Sequence, residues 1–251
     1  MTNNGAASIF DFMVTASRKQ REIRDREAQI LRLARPILLR EGYQALTMER
    51  LAAVMEYAKG TLYNHFPNKE EIVLALAIES MGLRFQLFQA AADGSSISRN
   101  RLMAIGAACE LYTQDYSDHF AIEDWIRNTT IWDKSSSRRQ ELILQCESRC
   151  MDVVAGIVRD AVEAGDLTLS PSLSAEEMIF GFWSLNYGSQ VLAATSPSLS
   201  SLGIRDAPKA IRHHCCILMN GFGWKPFLEF NEHDSLMDQL ASQLKMQFDQ
   251  V

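Results

Sequence analysis

Apolar residues along this chain recur at intervals of three and four, the spacing of one helix face. Ile30, Leu33, Ala34, Ile37 and Leu38 predict an amphipathic helix that stops where Gly42 supplies a C-cap. Pro36 lies inside it and removes one backbone bond to Arg32, so a kink or loosened turn is expected there, at an intrinsic cost of roughly 3 kcal/mol. Thr47 is placed to cap a second helix with Leu51, Val54 and Met55 facing inward. A short helix follows, on which Leu62 and Phe66 sit four apart, and Pro67 ends it. Asn68 with Glu71 three residues on has the capping-box spacing, opening a long helix to about Ala91 that buries Ile72, Leu76, Leu83 and Leu87. Gly94-Ser95-Ser96 closes it. Beyond it the pattern predicts helices over roughly 98–116, 118–131, 135–164, 174–195, 206–222 and 232–249, with no period-two strand and no βαβ alternation. The fold class is all-α, and there is no internal repeat.

The stretch from Ala58 to Glu71 organises the rest. With Leu62 and Phe66 turned inward, Lys59, Thr61, Asn64 and His65 are left outside as donors and cations. A helix this short cannot stand alone, so its exposed face is available for contact. The contact that suits such groups is a phosphate backbone with base edges behind it. Two short helices, a tight turn and a preceding helix make a helix-turn-helix trio.

Thr47-Met48-Glu49-Arg50-Leu51-Ala52-Ala53-Val54, then Lys59-Gly60-Thr61-Leu62-Tyr63-Asn64-His65-Phe66 and Asn68-Lys69-Glu70-Glu71, resemble the DNA-binding domain of the tetracycline-repressor (TetR) family over about residues 24–80. Glu56 stands where that family usually has a turn glycine, and Ala58 where a serine often caps the recognition helix. The resemblance implies a homodimeric transcriptional regulator, most simply a repressor released from a palindromic operator by a small apolar effector. Thr47 would contact a phosphate while capping its helix. Lys59, Gly60, Thr61 and Asn64 would enter the major groove of double-stranded DNA, while Tyr63, His65 and Lys69 hold the phosphates. The domains expected are a basic arm and helix start over 1–23, a DNA-binding domain over 24–70, and a larger helical effector-binding and dimerisation domain over 71–251.

Charge agrees with that division. The 251 residues carry a net charge of −6, yet residues 18–69 hold 11 Lys and Arg against 6 Asp and Glu. Residues 70–251 hold 14 against 24, so a basic head meets an acidic body. Residues 1–17 read as a loose arm, and the cations Arg18, Lys19, Arg21, Arg24 and Arg26 behind it are either a reach toward phosphates or a solvated helix start. The N-terminus lacks a targeting pattern and the longest apolar run, Ile72 to Ile78, is too short for a bilayer. Five cysteines fit a reducing compartment, so a cytoplasmic protein is expected.

The body carries fewer signals. Met178, Ile179, Phe182, Trp183, Leu185, Tyr187, Val191 and Leu192 surround most of one helix, and Ile211, Cys215, Leu218, Met219 and Phe222 give the 206–222 helix the same character. Helices apolar on more than one face need two partners, a second helix layer or another subunit. The resemblance implies a four-helix dimer bundle from these two, and an effector pocket walled by Trp125, Phe182, Trp183 and Tyr187. An alternative is a metal- or thiol-sensing regulator: His213 and Cys216 share a helix face, and Cys146 and Cys150 sit at i, i+4 on another. Buried cysteines acting as small hydrophobes account for the same residues. No nucleophile elbow, phosphate loop or paired-carboxylate pattern supports an enzyme, and no cofactor is expected.

Overall fold

The computed structural model describes residues 18–126, 129–196 and 198–248, and among these every regular element is a helix. In chain order they are α1 (Arg18–Glu41), α2 (Met48–Val54), α3 (Lys59–Tyr63), α4 (Lys69–Asp93), α5 (Ser98–Gln114), α6 (Ser117–Trp125), α7 (Thr129–Asp133), α8 (Ser137–Glu163), α9 (Ala175–Thr195), α10 (Ala207–Gly221) and α11 (Phe230–Phe248). The helix expected over 118–131 is two: α6 ends at Trp125 and α7 begins at Thr129. Pro36 lies inside α1, which runs on through it to Glu41. The arm expected over 1–17 lies outside the described residues, and Arg18–Ile23 form the opening turns of α1.

Contacts divide the chain into two compact units, and the division is not linear. The first takes residues up to Leu76 together with Trp125–Arg139; the second takes Ala77–Asp124 and Gln140–Val251.

In the first unit, α1 buries Ile30, Leu31, Ala34, Ile37 and Leu38 and ends at Gly42, whose φ of 85° is the left-handed cap expected. Thr47 caps α2 by accepting from the Arg50 amide at 3.2 Å. Arg50 holds Glu41 with both terminal nitrogens, at 2.9 and 2.7 Å, tying α2 to the end of α1. The buried arc of α2 and its cap is Met48, Leu51, Ala52 and Met55; Val54, expected inside, is exposed, because its direction falls outside that arc.

The second unit has one core, built from the distal half of α4 with α5, α8, α9 and α11 and centred on Leu87, Leu102, Met103, Ile157, Met178 and Leu240. Trp224 is fully buried there and donates to Ser98 Oγ at 3.0 Å, while Ser98 donates to Asp166 at 2.6 Å. The capping box at the start of α9 is complete: Ser174 Oγ accepts from the Glu177 amide, and Glu177 accepts from the Ser174 amide. Phe180 and Leu192 on α9 and Ile217 on α10 are exposed.

Candidate nucleic-acid interface

The turn between α2 and α3 is a Schellman motif. The Glu56 amide donates to Ala53 O at 3.2 Å and the Tyr57 amide to Ala52 O at 3.0 Å, with Glu56 at φ 54°. A non-glycine residue in that conformation is strained, at roughly 1–2 kcal/mol. Ala58, the N-cap of α3, makes no side-chain cap bond, so the first turn of the helix leaves its backbone N–H groups to other partners.

What orients α3 is its buried side: Leu62 and Phe66 have almost no exposure. With those two fixed, Lys59, Gly60, Tyr63 and Asn64 are exposed and Thr61 half-exposed, so the recognition face is turned to solvent. Tyr63 is 44% exposed. Lys59 Nζ lies 3.4 Å from Glu49 on α2, and Glu49 is held below the usual carboxylate range by its own backbone amide and then by Lys59. A pair this exposed is weak and can be exchanged for a stronger anion.

Two expected contacts differ. The His65 side chain is only 8% exposed and its Nδ1 lies 3.7 Å from Glu27 of α1, so it braces the end of α3 against α1 rather than facing a phosphate. Tyr57 makes a matching brace on the other side, donating to Gln29 at 3.4 Å. Lys69 donates to the Tyr43 carbonyl at 3.0 Å with its ammonium 3.8 Å from the Tyr43 ring centre, and burial lowers its pKa. It remains half-exposed. Glu27, Gln29 and Tyr43 are the supporting residues that the sequence reading missed; the aromatic directly after the Gly42 cap was the available signal.

Behind this face, Trp125–Arg139 is bound to the start of α4. Asn68 accepts from the Glu71 amide at 2.9 Å, half of the expected box. Glu71 does not return the bond; its carboxylate accepts from the Ser136 amide and from Arg139 Nε at 3.2 Å. Glu70 accepts from Tyr43 Oη at 2.5 Å and lies 3.8 Å from Lys134 Nζ. Trp125 stacks on Tyr43 with ring centres 5.9 Å apart.

The residues expected to wall an effector pocket are divided between the two units. Trp125 belongs to the first unit, whereas Phe182, Trp183 and Tyr187 belong to the second. Phe182 is core, 6.3 Å from Phe222; Trp183 meets the exposed Phe180 edge-on; Tyr187 donates to Asp124 at 2.8 Å beside Phe120. Within neither unit do the four make one wall. The second unit has an open polar cleft of about 330 Å³, lined by Asp206, Pro208, Lys209, Arg212, Asp234 and Asp238.

The soft-metal set does not assemble either. His213 Nε2 lies 3.0 Å from Asp234, and its ring stacks on Phe230. Cys216 is buried 3.8 Å from Arg99 Nη2, and Cys150 sits in the core. Among the described residues no group of three or more His, Cys, Asp or Glu could hold a metal ion. Burial pushes the Cys150 thiol up to about 11 and raises Cys146 and Cys216 as well, the opposite of a reactive thiolate.

A buried-backed short helix, a capped helix before it and a tight turn between them make the helix-turn-helix arrangement of DNA-binding proteins. Residues 30–76 match the model of bacterial regulatory proteins of the tetR family. The chain is 23% identical over 192 residues to the fatty acid metabolism regulator protein of Bacillus subtilis, covering 71% of this chain and 94% of that one. It is 30% identical over 90 residues to the transcriptional regulator TcmR of Streptomyces glaucescens, covering 36% and 38%. A tetR-family regulatory protein from Rhodococcus has the same fold, with a TM-score of 0.60 at 19% identity over 79% of this chain and 97% of that one. Over residues 30–76 the chain carries the DNA-binding domain of the TetR family of transcriptional regulators. It is accordingly a DNA-binding regulator, and among the described residues no helix is long and apolar enough to cross a membrane.

Proposed function

We propose that this protein is a sequence-specific repressor that binds a pseudo-palindromic operator as a homodimer and leaves it when a small apolar molecule binds the helical body. The observation that carries the DNA reading is the orientation of α3, with Leu62 and Phe66 buried and Lys59, Tyr63 and Asn64 exposed. In this reading Lys59, Thr61 and Asn64 meet base edges, Gly60 lets the backbone approach, and Thr47, Tyr63 and Lys69 bind phosphates. Lys69 reaches its phosphate by giving up the Tyr43 carbonyl. The exposed apolar residues Phe180, Leu192 and Ile217 support dimerisation through α9 and α10. For the effector, the half-buried Trp183 and Tyr187 on α9 are the remaining candidates in the second unit, and the polar 330 Å³ cleft suits an apolar molecule poorly.

The test begins with selection of bound fragments from random DNA by the purified protein. Asn64→Ala is expected to relax preference at one base position, at a cost of about 1–3 kcal/mol on the selected site. Lys69→Ala is expected to weaken all sequences alike and to flatten the salt slope by about one unit. Wild-type binding by both variants would refute the assigned face.

A further inference from the structure

Within the second unit α5 and α11 run parallel. A Cβ on Gly106 would lie 3.5 Å from Met237 Cε, and further along Lys245 Nζ lies 2.5 Å from Asp115, so the contacts advance in the same direction on both helices. Gly106 is about 12 Å into α5 and Met237 about 10 Å into α11, which puts the two N-termini side by side. Each brings a positive dipole end and first-turn N–H groups with no partner inside the helix. Ile97, the N-cap of α5, makes no side-chain bond to them. At α11 the Glu232 carboxylate is turned back to the Glu229 amide, ahead of the helix.

Two fully buried polar side chains stand at this junction. Arg99, the second residue of α5, is 0% exposed; it donates to the Trp224 carbonyl at 2.7 Å and reaches the Cys216 sulfur at 3.8 Å, while its Nε has no partner. His233, closing the first turn of α11, is 1% exposed with neither ring nitrogen bonded, and the charges of Arg99, Asp234 and Arg212 act on it, with His213 nearby. A guanidinium keeps its charge, and a buried charge is costly unless an anion meets it. Among the described residues no carboxylate is paired with Arg99. The Cys216 thiol does not serve, because burial raises its pKa and it donates to the Leu228 carbonyl at 3.4 Å. Asp234 is held by one oxygen to His213 at 3.0 Å and Lys209 at 3.7 Å, both on α10. Its other oxygen is buried without a partner, but it makes no bond to Arg99, which is left as the charge without a counterion.

We infer that Arg99 and His233, with the paired N-termini of α5 and α11, bind a compact singly charged anion, either a halide or the carboxylate of a one- or two-carbon acid. Arg99, Cys216, Trp224 and His233 are all almost wholly buried, which limits the occupant to a few atoms. The site is independent of the DNA-binding reading.

The test is native-state hydrogen exchange on the full chain at fixed ionic strength, with potassium gluconate replaced stepwise by chloride in one series and by formate in another. Gluconate is too large for the site, and constant ionic strength holds screening still. Protection of the α5 and α11 amides should rise with chloride, formate or both, approaching about tenfold for each tenfold rise in the anion once the site is mostly filled. The amides of α2 and α3, in the other unit, should not change. Whichever series gives the rise identifies the source of the anion. Arg99→Met should abolish the dependence. Arg99→Lys keeps a charge but loses Nε and should show the dependence at weaker affinity, which leaves the question answerable if the methionine variant does not fold. A flat response to both anions leaves water as what meets these donors and overturns the inference. So does an equal rise in α2 and α3, which marks a general salt effect, or a rise that neither variant diminishes.

Discussion

Replacing Glu71 by alanine removes a carboxylate that is 5% exposed and accepts from two donors, the Ser136 amide and Arg139 Nε. Bonds to a charged group contribute about 1.5–3 kcal/mol each, and both donors would be left without their acceptor. The full sum is not expected. Arg139 is 24% exposed and can turn to water, and the Ser136 amide lies at the start of α8, where hydration is accessible. About 3 kcal/mol is the expected cost for Glu71→Ala. Arg139→Ala leaves the Ser136 bond in place and should cost about 1.5 kcal/mol. In the double variant the Arg139 bond is lost once, so the costs should fall short of additivity by about 1 kcal/mol. Two compact units can unfold in separate steps, so a single global midpoint is the wrong readout. Native-state hydrogen exchange at the Ser135 and Arg139 amides, whose acceptors Trp132 O and Ser136 O stay in place in every variant, measures the local opening free energy directly. A cost below about 0.5 kcal/mol, or strict additivity, would refute the claim that Glu71 anchors Trp125–Arg139 to the start of α4.

Glu56→Gly should stabilise the first unit by about 0.5–1 kcal/mol in urea unfolding, the strain relieved at φ 54° less the added freedom of glycine in the unfolded chain. A destabilised variant would refute the strain argument. His233 is buried with neither ring nitrogen hydrogen-bonded; burial, and then Arg99, push its pKa from 6.5 down to about 4. The folded state therefore resists a proton that the unfolded state accepts. Its contribution is present above pH 6.5 and is lost as the pH falls toward 4, with a slope of up to about 1.4 kcal/mol per pH unit. His233→Leu should flatten that limb by one proton in urea midpoints taken from pH 7 to 4, and an unchanged limb would sink the assignment.

The parts of the fold that were legible in the sequence are those set by neighbours along the chain. Leu62 and Phe66 fixed the face of α3, Thr47 and Ser174 announced their caps, and Gly42 marked the end of α1. Helix limits came within a few residues, except that the element expected over 118–131 is two helices, α6 and α7. Long-range partners decided the rest. Glu71 has the spacing to cap Asn68 but is claimed by Ser136 and Arg139, more than sixty residues away. His65 has the chemistry for a phosphate but meets Glu27, and Trp125 has the size for a pocket wall but stacks on Tyr43. Periodicity gives the direction of a side chain on its own helix and nothing about what waits there.

The interrupted path of the first unit bears on how such regulators can exchange specificity by recombination. A single crossover near Leu76 would give the recipient Glu70 and Glu71 while leaving Trp125, Lys134 and Arg139 with the donor. A chimera built that way inherits two near-buried carboxylates whose cations must be supplied by an unrelated sequence. Transplanting this unit intact takes two splices, one delivering α1–α3 with the start of α4 and one the segment clasped to it.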